Sequence, residues 1–227
     1  MANLLTGLSL CCGFLSIILS LAGHFTLSSY AIMISVVLDG LDGQIARKSK
    51  VSSDFGKEFD SLVDVVSFGV APVLLGYTFV YSHFHLLAAA GLFMYLLSAV
   101  MRLVKYNITK YAKENYFTGL PTTVAGGVLA SFVLIYSGNE VVLTKFVPVT
   151  FILLVLLLAF LMISRAQYFN LDGIQQLFGK RLKVVVLSLF IILSLALYWD
   201  KIGITLFCIF LIYLIFSPFV VKRLNSI

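Results

Sequence analysis

Apolar residues in this chain gather in long stretches that short polar segments separate. Eight stretches approach the roughly 20 residues that a helix needs to cross a bilayer, at 4–22, 27–46, 60–81, 86–104, 119–137, 146–164, 182–199 and 202–221. The first stretch has no basic residue before it and no clear cleavage site, so it is interpreted as a span and not as a signal peptide. The pattern predicts an all-α integral membrane protein with about eight transmembrane helices.

Composition excludes most other classes of protein. Of the 227 residues, 61% are hydrophobic and 11% are charged, against roughly 25% charged in a soluble globular domain. A soluble enzyme, a disordered chain and a disulfide scaffold are therefore excluded. The sequence has no internal repeat, low-complexity segment or linker, which predicts one membrane domain over residues 1–227. Small residues in the fifth predicted span favour close helix packing; they are Ala125, Gly126, Gly127, Ala130 and Ser131.

The basic residues lie almost entirely on one side of the predicted membrane. Fourteen of the sixteen Lys and Arg residues fall in or beside the segments that follow spans 2, 4, 6 and 8, and only Lys145 and Lys201 fall on the other side. Because basic loops stay in the cytoplasm, both termini are predicted to be cytoplasmic. The net charge of +6 thus reflects membrane topology, and no nucleic-acid partner is predicted.

The acidic residues are concentrated in one segment of the chain. Six of the ten lie within residues 39–64, and several interrupt otherwise apolar helices; they are Asp39, Asp42, Asp54, Glu58, Asp60 and Asp64. Ionisable groups at membrane depth are costly and usually mark function. At 100° per residue, Asp39 and Asp42 share one helix face, and Asp60, Asp64 and Ser67 share a face of the next helix. The spacing predicts that the two acidic faces meet on the cytoplasmic side.

Clustered carboxylates repel one another unless cations bridge them. Oxygen ligands favour hard divalent ions, so one or two Mg²⁺ or Mn²⁺ ions are predicted at this site. Gly43 and Ala46 leave room beside the acids for a bulky ligand, and Arg47 and Ser53 are donors suited to phosphate oxygens. Carboxylate-held metal and phosphate donors at the membrane surface indicate phosphoryl transfer on a lipid substrate.

The acidic segment reads Asp39-x2-Asp42-Gly43-x2-Ala46-Arg47-x8-Gly56-x3-Asp60-x3-Asp64. It matches at every position the signature of the CDP-alcohol phosphatidyltransferase family, which this chain therefore resembles. The resemblance implies a helical membrane core, generally of six helices, that displaces CMP from a CDP-linked lipid with an alcohol. The core is expected at residues 1–165, with a two-helix C-terminal extension at 166–227. The resemblance also suggests a homodimer.

Segments outside the acidic motif resemble the phosphatidylserine synthase branch of that family. They are Asn3-Leu4-Leu5-Thr6, Ser67-Phe68-Gly69-Val70-Ala71-Pro72, Arg102-Leu103-Val104-Lys105-Tyr106-Asn107 and Phe117-Thr118-Gly119-Leu120-Pro121. This resemblance implies transfer of a phosphatidyl group from CDP-diacylglycerol, or an archaeal ether-lipid equivalent, to the hydroxyl of L-serine. It also implies a prokaryotic cytoplasmic membrane, with the active site on the cytoplasmic side.

The resemblance and the chemistry together assign roles to particular residues. The expected metal ligands are Asp39, Asp42 and Asp60, and Asp64 is expected both to share the metal site and to act as the general base. The CDP-lipid is expected to contact Asn3, Gly43, Ala46, Arg47 and Ser53. A serine substrate needs a cation for its carboxylate, and the candidates for the alcohol pocket are Arg102, Lys105 and Ser67.

Three alternatives stay open at this point. The same chemistry with glycerol 3-phosphate or inositol phosphate needs only an additional phosphate pocket. A cation-coupled transporter also places acids within a membrane, although here they gather at one face. A lipid- or nucleotide-binding protein without catalysis is the third alternative, and the complete acidic motif argues against it.

Overall fold

The computed structural model of this protein describes residues 2–49, 54–80, 85–108, 116–137, 146–169 and 202–224. Helices account for nearly all of this part of the chain. They are α1 (Ala2–Leu21), α2 (Phe25–Ser49), α3 (Asp54–Asp64), α4 (Ala71–Val80), α5 (His85–Ile108), α6 (Thr122–Tyr136), α7 (Phe146–Ile163) and α8 (Ile202–Leu224), with a π-helical segment at Val65–Val70 between α3 and α4. Two short strands, β1 (Tyr116–Thr118) and β2 (Gln167–Phe169), pair antiparallel.

The predicted all-α membrane fold is confirmed. Five segments are long and apolar enough to cross a membrane: Asn3–Leu21, Phe25–Ile45, Phe55–Val80, Leu86–Ile108 and Phe146–Ile163. Two shorter apolar helices, Thr122–Tyr136 and Ile202–Pro218, match two further predicted spans. The count of eight stays a prediction, since the predicted span at 182–199 lies outside the described residues.

The third span begins earlier than the sequence pattern predicts. Helix α3 begins at Asp54 and not near residue 60, so Asp60 lies more than one turn inside the helix and not at its start. The apolar pattern misses this first part because α3 has one strongly polar face. A polar helical face is tolerated in a membrane protein when it points toward other helices or a cavity.

The π-helical segment changes the direction of side chains after Asp64. Within it the backbone N–H of Ala71 donates to the carbonyl of Val66, a bond that spans five residues. Pro72 has no N–H, so the carbonyl of Phe68 four residues earlier cannot receive an α-helical bond from it. The buried Tyr95 hydroxyl of α5 donates to that Phe68 carbonyl over 3.0 Å. This hydrogen bond joins the π-helical segment to α5.

Hydroxyl groups join α1 to α2 inside the bundle. Ser9 and Ser35 bond over 2.6 Å, and Ser28 bonds both Ser16 at 2.8 Å and Ser20 at 2.7 Å. All five side chains are buried. Apolar surface gives helices little reason to associate in lipid, so close packing and interhelical hydrogen bonds of this kind hold such a pair together.

Helix α6 lies at the centre of the bundle, and its small residues allow close contacts on two sides. A Cβ on Gly126 would lie 3.3 Å from the Cα of Phe68. The neighbouring Gly127 faces the ring of Phe210 on α8, and Gly203 of α8 lies against the α6 backbone near Ile135. The predicted close packing of this segment is confirmed at Gly126 and Gly127.

The β1–β2 pair holds the chain that leads into α6, and no pattern in the sequence predicts it. Gly119 follows β1 with a φ of +82°, and its N–H donates to the carbonyl of Ala166 over 2.8 Å. The N–H of Leu120 donates to the carbonyl of Leu161 over 3.1 Å. Beside β2, the rings of Tyr168 and Tyr213 of α8 stack with their centroids 6.1 Å apart. These contacts fix where α6 begins.

Candidate active site

A cavity of about 210 Å³ lies between α2, α3, α5 and the first residues of α6. Four separate segments of the chain therefore contribute to it. The lining residues are Asp39, Gly40, Asp42, Gly43, Asp60, Ser61, Asp64, Arg102, Leu103, Tyr106, Pro121, Thr122 and Thr123. All four acids that the sequence motif singles out are among them, so the two acidic helix faces meet as their spacing predicts.

Three of the acids converge on one point. Asp39 and Asp42 lie one turn apart on α2, and Asp60 faces them from α3. One carboxylate oxygen from each lies within 4.8 Å of the others. Carboxylate oxygens at this separation suit a hard divalent cation such as Mg²⁺ or Mn²⁺, so the donor set fits the metal that the sequence predicts.

Asp64 is the fourth acid of the cavity and is not one of the three converging carboxylates. It lies one turn after Asp60, lines the same cavity, and its carboxyl group is in hydrogen-bonding contact with Asp39. It also interacts electrostatically with Arg102 of α5. Asp64 thus contacts both an acid of α2 and the cation of α5 within the cavity.

Two threonine hydroxyls bond to the acids of α2, and sequence reasoning missed both roles. Thr6 of α1 donates to Asp42 Oδ2 over 2.9 Å, and both side chains are 4% exposed. Thr123 of α6 donates to Asp39 Oδ2 over 3.0 Å. Thr6 is 36 residues from its acid and Thr123 is 84 residues from its acid. No local spacing signals such pairs; only the packed helices bring them together.

Arg102 lies in the cavity wall, as expected for a residue of the alcohol pocket. Its Nη1 donates to the Thr122 hydroxyl over 3.2 Å, and Tyr213 of α8 interacts with it electrostatically. Of the lining residues that the structure describes, Arg102 alone carries a positive charge. The described lining of the cavity therefore combines four acids with one cation, Arg102 of α5.

Two other expected serine-pocket residues lie elsewhere. The Lys105 side chain is exposed and is not among the cavity-lining residues. Ser67 is fully buried, and its hydroxyl donates to the carbonyl of Ser9 on α1 over 3.2 Å. Ser67 was expected on the face of Asp60 and Asp64 because an α-helix turns 100° per residue. The π-helical segment breaks that periodicity after Asp64. Ser67 thus joins helices and does not line the cavity.

The residues expected to hold the CDP-lipid fall into three groups. Gly43 lines the cavity, and so does Gly40, where an added Cβ would meet nothing within 4 Å. Asn3 is exposed at the start of α1 and is not part of the lining. Ala46 and Arg47 lie in the last turns of α2, but their side chains, like all of Ser53, lie outside the described residues.

One further polar pair borders the cavity. Ser61 is a lining residue, and its hydroxyl donates to Asn107 Oδ1 over 3.2 Å while Asn107 Nδ2 lies 2.9 Å from the same hydroxyl. Asn107 belongs to the Arg102–Asn107 segment that carried the serine-branch resemblance. The pair ties α3 to the end of α5 beside the acids.

The comparison with known proteins agrees with this arrangement. A family model described as CDP-alcohol phosphatidyltransferase matches residues 1–163 of the chain. The chain belongs to the CDP-alcohol phosphatidyltransferase family. The matched region contains all four acids and every other cavity-lining residue, whereas α8 lies beyond it.

Curated relatives carry related names. A CDP-diacylglycerol–serine O-phosphatidyltransferase of Helicobacter pylori is 33% identical over 174 residues, which are 76% of this chain and 73% of the relative. An archaetidylserine synthase of Methanothermobacter thermautotrophicus is 35% identical over 173 residues, 75% of this chain and 70% of the relative. A CDP-diacylglycerol–serine O-phosphatidyltransferase of Bacillus subtilis is 33% identical over 132 residues, 58% of this chain and 73% of the relative.

Proposed function

We propose that this protein transfers a phosphatidyl group from CDP-diacylglycerol, or an ether-lipid equivalent, to the hydroxyl of L-serine, with release of CMP. The observation that carries the proposal is the convergence of Asp39, Asp42 and Asp60 in a cavity that also holds Asp64 and Arg102. The relatives whose names contain serine support the choice of alcohol. One name refers to a diacylglycerol lipid and the other to an archaeal lipid, so the proposal includes both lipid types.

Asp39, Asp42 and Asp60 would hold Mg²⁺ or Mn²⁺, as one ion or as two with Asp64 as a shared ligand. A divalent cation bound there supplies charge neutralisation for the pyrophosphate, which makes CMP a better leaving group. The three carboxylates also need such a partner, because several negative charges close together inside a membrane protein repel one another.

Asp64 acts as the general base in this proposal. Its carboxylate takes the proton of the serine hydroxyl while that oxygen attacks the β-phosphorus of the CDP-lipid in line. The new bond joins the serine oxygen to phosphorus, the bond between that phosphorus and the CMP oxygen breaks, and CMP carries away the electron pair. Its position next to the three ligands, yet outside their group, suits this role.

Arg102 binds the carboxylate of serine. A guanidinium can grip a carboxylate with two parallel hydrogen bonds, and the contact with Thr122 holds Arg102 in the cavity wall. The names of the relatives, a CDP-diacylglycerol–serine O-phosphatidyltransferase and an archaetidylserine synthase, favour serine over the phosphorylated alcohols.

The remaining assignments concern the lipid and the membrane. Gly40 and Gly43 leave space in the cavity for the CDP headgroup, while Asn3, Ala46, Arg47 and Ser53 remain candidates for contacts with it. The basic segments support a cytoplasmic location for the active site and both termini, in a prokaryotic membrane. The active unit is a homodimer by family resemblance.

The proposal is tested by CMP release from the purified full chain in detergent. The assay contains a CDP-lipid, Mn²⁺ or Mg²⁺, and either serine, glycerol 3-phosphate or inositol phosphate. We expect CMP release with serine and not with glycerol 3-phosphate or inositol phosphate. Asp64→Asn should lower the rate by roughly 100-fold or more, since a positioned general base contributes about that much.

Glu58→Gln is the matched control, because Glu58 is an exposed acid on the same helix as Asp60 and does not line the cavity. This variant should keep the wild-type rate. Release with a phosphorylated alcohol and not with serine would overturn the proposed substrate, and no metal-dependent release with any alcohol would overturn the reaction itself.

A further inference from the structure

The two carboxylates of α2 are each held from a different side by a helix that carries no acid of the site. Asp42 accepts its hydrogen bond from Thr6 on α1, and Asp39 accepts its hydrogen bond from Thr123 on α6. In both pairs the threonine hydroxyl donates to Oδ2 of an aspartate that lines the cavity. The two hydrogen bonds are of the same kind, which suggests that both threonines have the same role.

A hydroxyl that donates to one carboxylate oxygen limits rotation of the whole group. An aspartate side chain has only two rotatable bonds, and fixing Oδ2 therefore fixes the direction of Oδ1 as well. Partners of this kind orient the groups that ligate a metal and commonly change metal affinity by about 10- to 100-fold when they are removed. The three carboxylate oxygens lie within 4.8 Å of one another. Rotation of either aspartate of α2 would change this separation.

Burial makes the hydrogen bond from Thr6 to Asp42 difficult to replace. Thr6 and Asp42 are each only 4% exposed, so water cannot easily replace the hydroxyl as a donor. A buried acceptor that loses its donor without replacement is destabilised. Removal of the Thr6 hydroxyl would therefore take away a contact that orients the Asp42 carboxylate.

We propose that Thr6 and Thr123 are positioning residues that aim the Asp42 and Asp39 carboxylates at a common divalent cation. This inference rests on the proposed function, because it takes these acids as metal ligands. Neither threonine touches the reacting atoms in this proposal. Each acts through its aspartate, and the two belong to different helices, α1 and α6.

The test is direct Mn²⁺ binding to the purified, chelator-treated full chain, measured by loss of the free-Mn²⁺ paramagnetic resonance signal. We expect Thr6→Val and Thr123→Val to weaken Mn²⁺ binding by about 10- to 100-fold. Thr6→Ser and Thr123→Ser retain the hydroxyl and should bind within about threefold of wild type. Valine is nearly isosteric with threonine, so the helix contacts are preserved while the donor is removed.

Thr78→Val is the matched control. Thr78 is a part-buried helical threonine whose hydroxyl donates to the carbonyls of Leu74 and Leu75 on its own helix. Its loss should leave Mn²⁺ affinity unchanged. A purely structural role for Thr6 and Thr123 would instead lower the melting temperature of the metal-free protein and leave Mn²⁺ affinity at the wild-type value.

The inference is overturned if both valine variants bind Mn²⁺ within threefold of wild type, or if the serine variants bind as weakly as the valine variants. It is also overturned if the wild-type chain binds no Mn²⁺. Should one valine variant not fold, the other lies on a different helix and decides the matter alone. Failure of the proposed function is a separate result, namely a wild-type chain that binds Mn²⁺ and releases no CMP with serine.

Discussion

At the scale of single residues, Arg102 is the side chain that we propose to determine the choice of alcohol. It faces the acids across the cavity and is steadied by the Thr122 hydroxyl at 3.2 Å. Its planar guanidinium matches the two oxygens of a carboxylate, whereas an ammonium group offers a point charge and no such fork. Specificity for serine is therefore expected to depend on the shape of this cation as well as on its charge.

Arg102→Lys is predicted to raise the KM for serine by about tenfold or more while the KM for the CDP-lipid stays near its wild-type value. The reason is the loss of one of two hydrogen bonds to the carboxylate, with the charge retained. Initial rates of CMP release at varied serine and at varied CDP-lipid measure the two constants separately.

Lys105→Gln provides the comparison for that experiment. Lys105 is exposed one turn beyond Arg102 and does not line the cavity, so its KM for serine should match wild type. Equal increases in both variants would mean that the basic end of α5 acts through its general charge and not through a defined Arg102 contact.

Spacing along the chain was sufficient to predict the acids but not the groups that hold them. Asp39 and Asp42 are three residues apart, and Asp60 and Asp64 are four apart, so helical periodicity places each pair on one face. Thr6 and Thr123 have no such relation to their aspartates. Their contacts depend on which helices become neighbours, and a single sequence does not state this.

At the scale of secondary structure elements, the start of α6 is the most tightly defined feature near the site. The backbone enters α6 through Gly119, whose φ of +82° suits glycine. A Cβ at this position would also overlap the carbonyl oxygen of Met162. The next residues along the chain, Thr122 and Thr123, contact Arg102 and Asp39. A small shift here therefore reaches both sides of the cavity.

Gly119→Ala is predicted to destabilise the protein by about 2 kcal/mol or more and to lower CMP release. Both the left-handed backbone and the overlap with Met162 oppose the methyl group. Thermal unfolding in detergent, followed by circular dichroism, gives the stability, and the CMP assay gives the activity.

Gly23→Ala separates the two causes. Gly23 has a similar φ of +79°, but nothing lies within 4 Å of an added Cβ, so backbone strain alone should cost it about 1 kcal/mol. If Gly119→Ala were no more harmful than Gly23→Ala, the contact with Met162 would not define the start of α6.

The elements also show where sequence patterns fail for physical reasons. The apolar pattern located the five spans that the structure describes, because each needs a long hydrophobic surface toward lipid. It missed the first part of α3, where Asp54, Lys57 and Glu58 interrupt the apolar residues. It also missed the π-helical segment within which Ser67 bonds to α1. The β1–β2 pair was also missed, since three-residue strands carry no useful periodicity.

At the scale of the whole molecule, the distribution of charge gives the protein a direction in the membrane. In the sequence, many basic residues lie near the ends of α2 and α5 and the start of α3, which predicts that these helix ends are on the cytoplasmic side. The acids and Arg102 lie near these same ends. The cavity is therefore expected to open toward the cytoplasm, where serine and CMP are dissolved.

A C-terminal fusion to green fluorescent protein is predicted to fluoresce in a bacterial host, and a C-terminal alkaline phosphatase fusion is predicted to be inactive. Both outcomes follow from a cytoplasmic C-terminus. The same reporters inserted after Lys145 should give the reverse pattern, because that segment is predicted to lie outside. An active phosphatase at the C-terminus would contradict the orientation.

The central claim is that the acids and Arg102 form one site that joins serine to a lipid phosphate. The most direct measurement follows radiolabelled serine into the lipid extract while CMP is counted, with wild-type protein, CDP-diacylglycerol and Mn²⁺ in detergent. We expect one labelled lipid molecule for each CMP released by the wild-type protein. With Asp64→Asn we expect both the labelled lipid and CMP to fall by roughly 100-fold or more. Release of CMP with no serine label in the lipid would contradict the central claim.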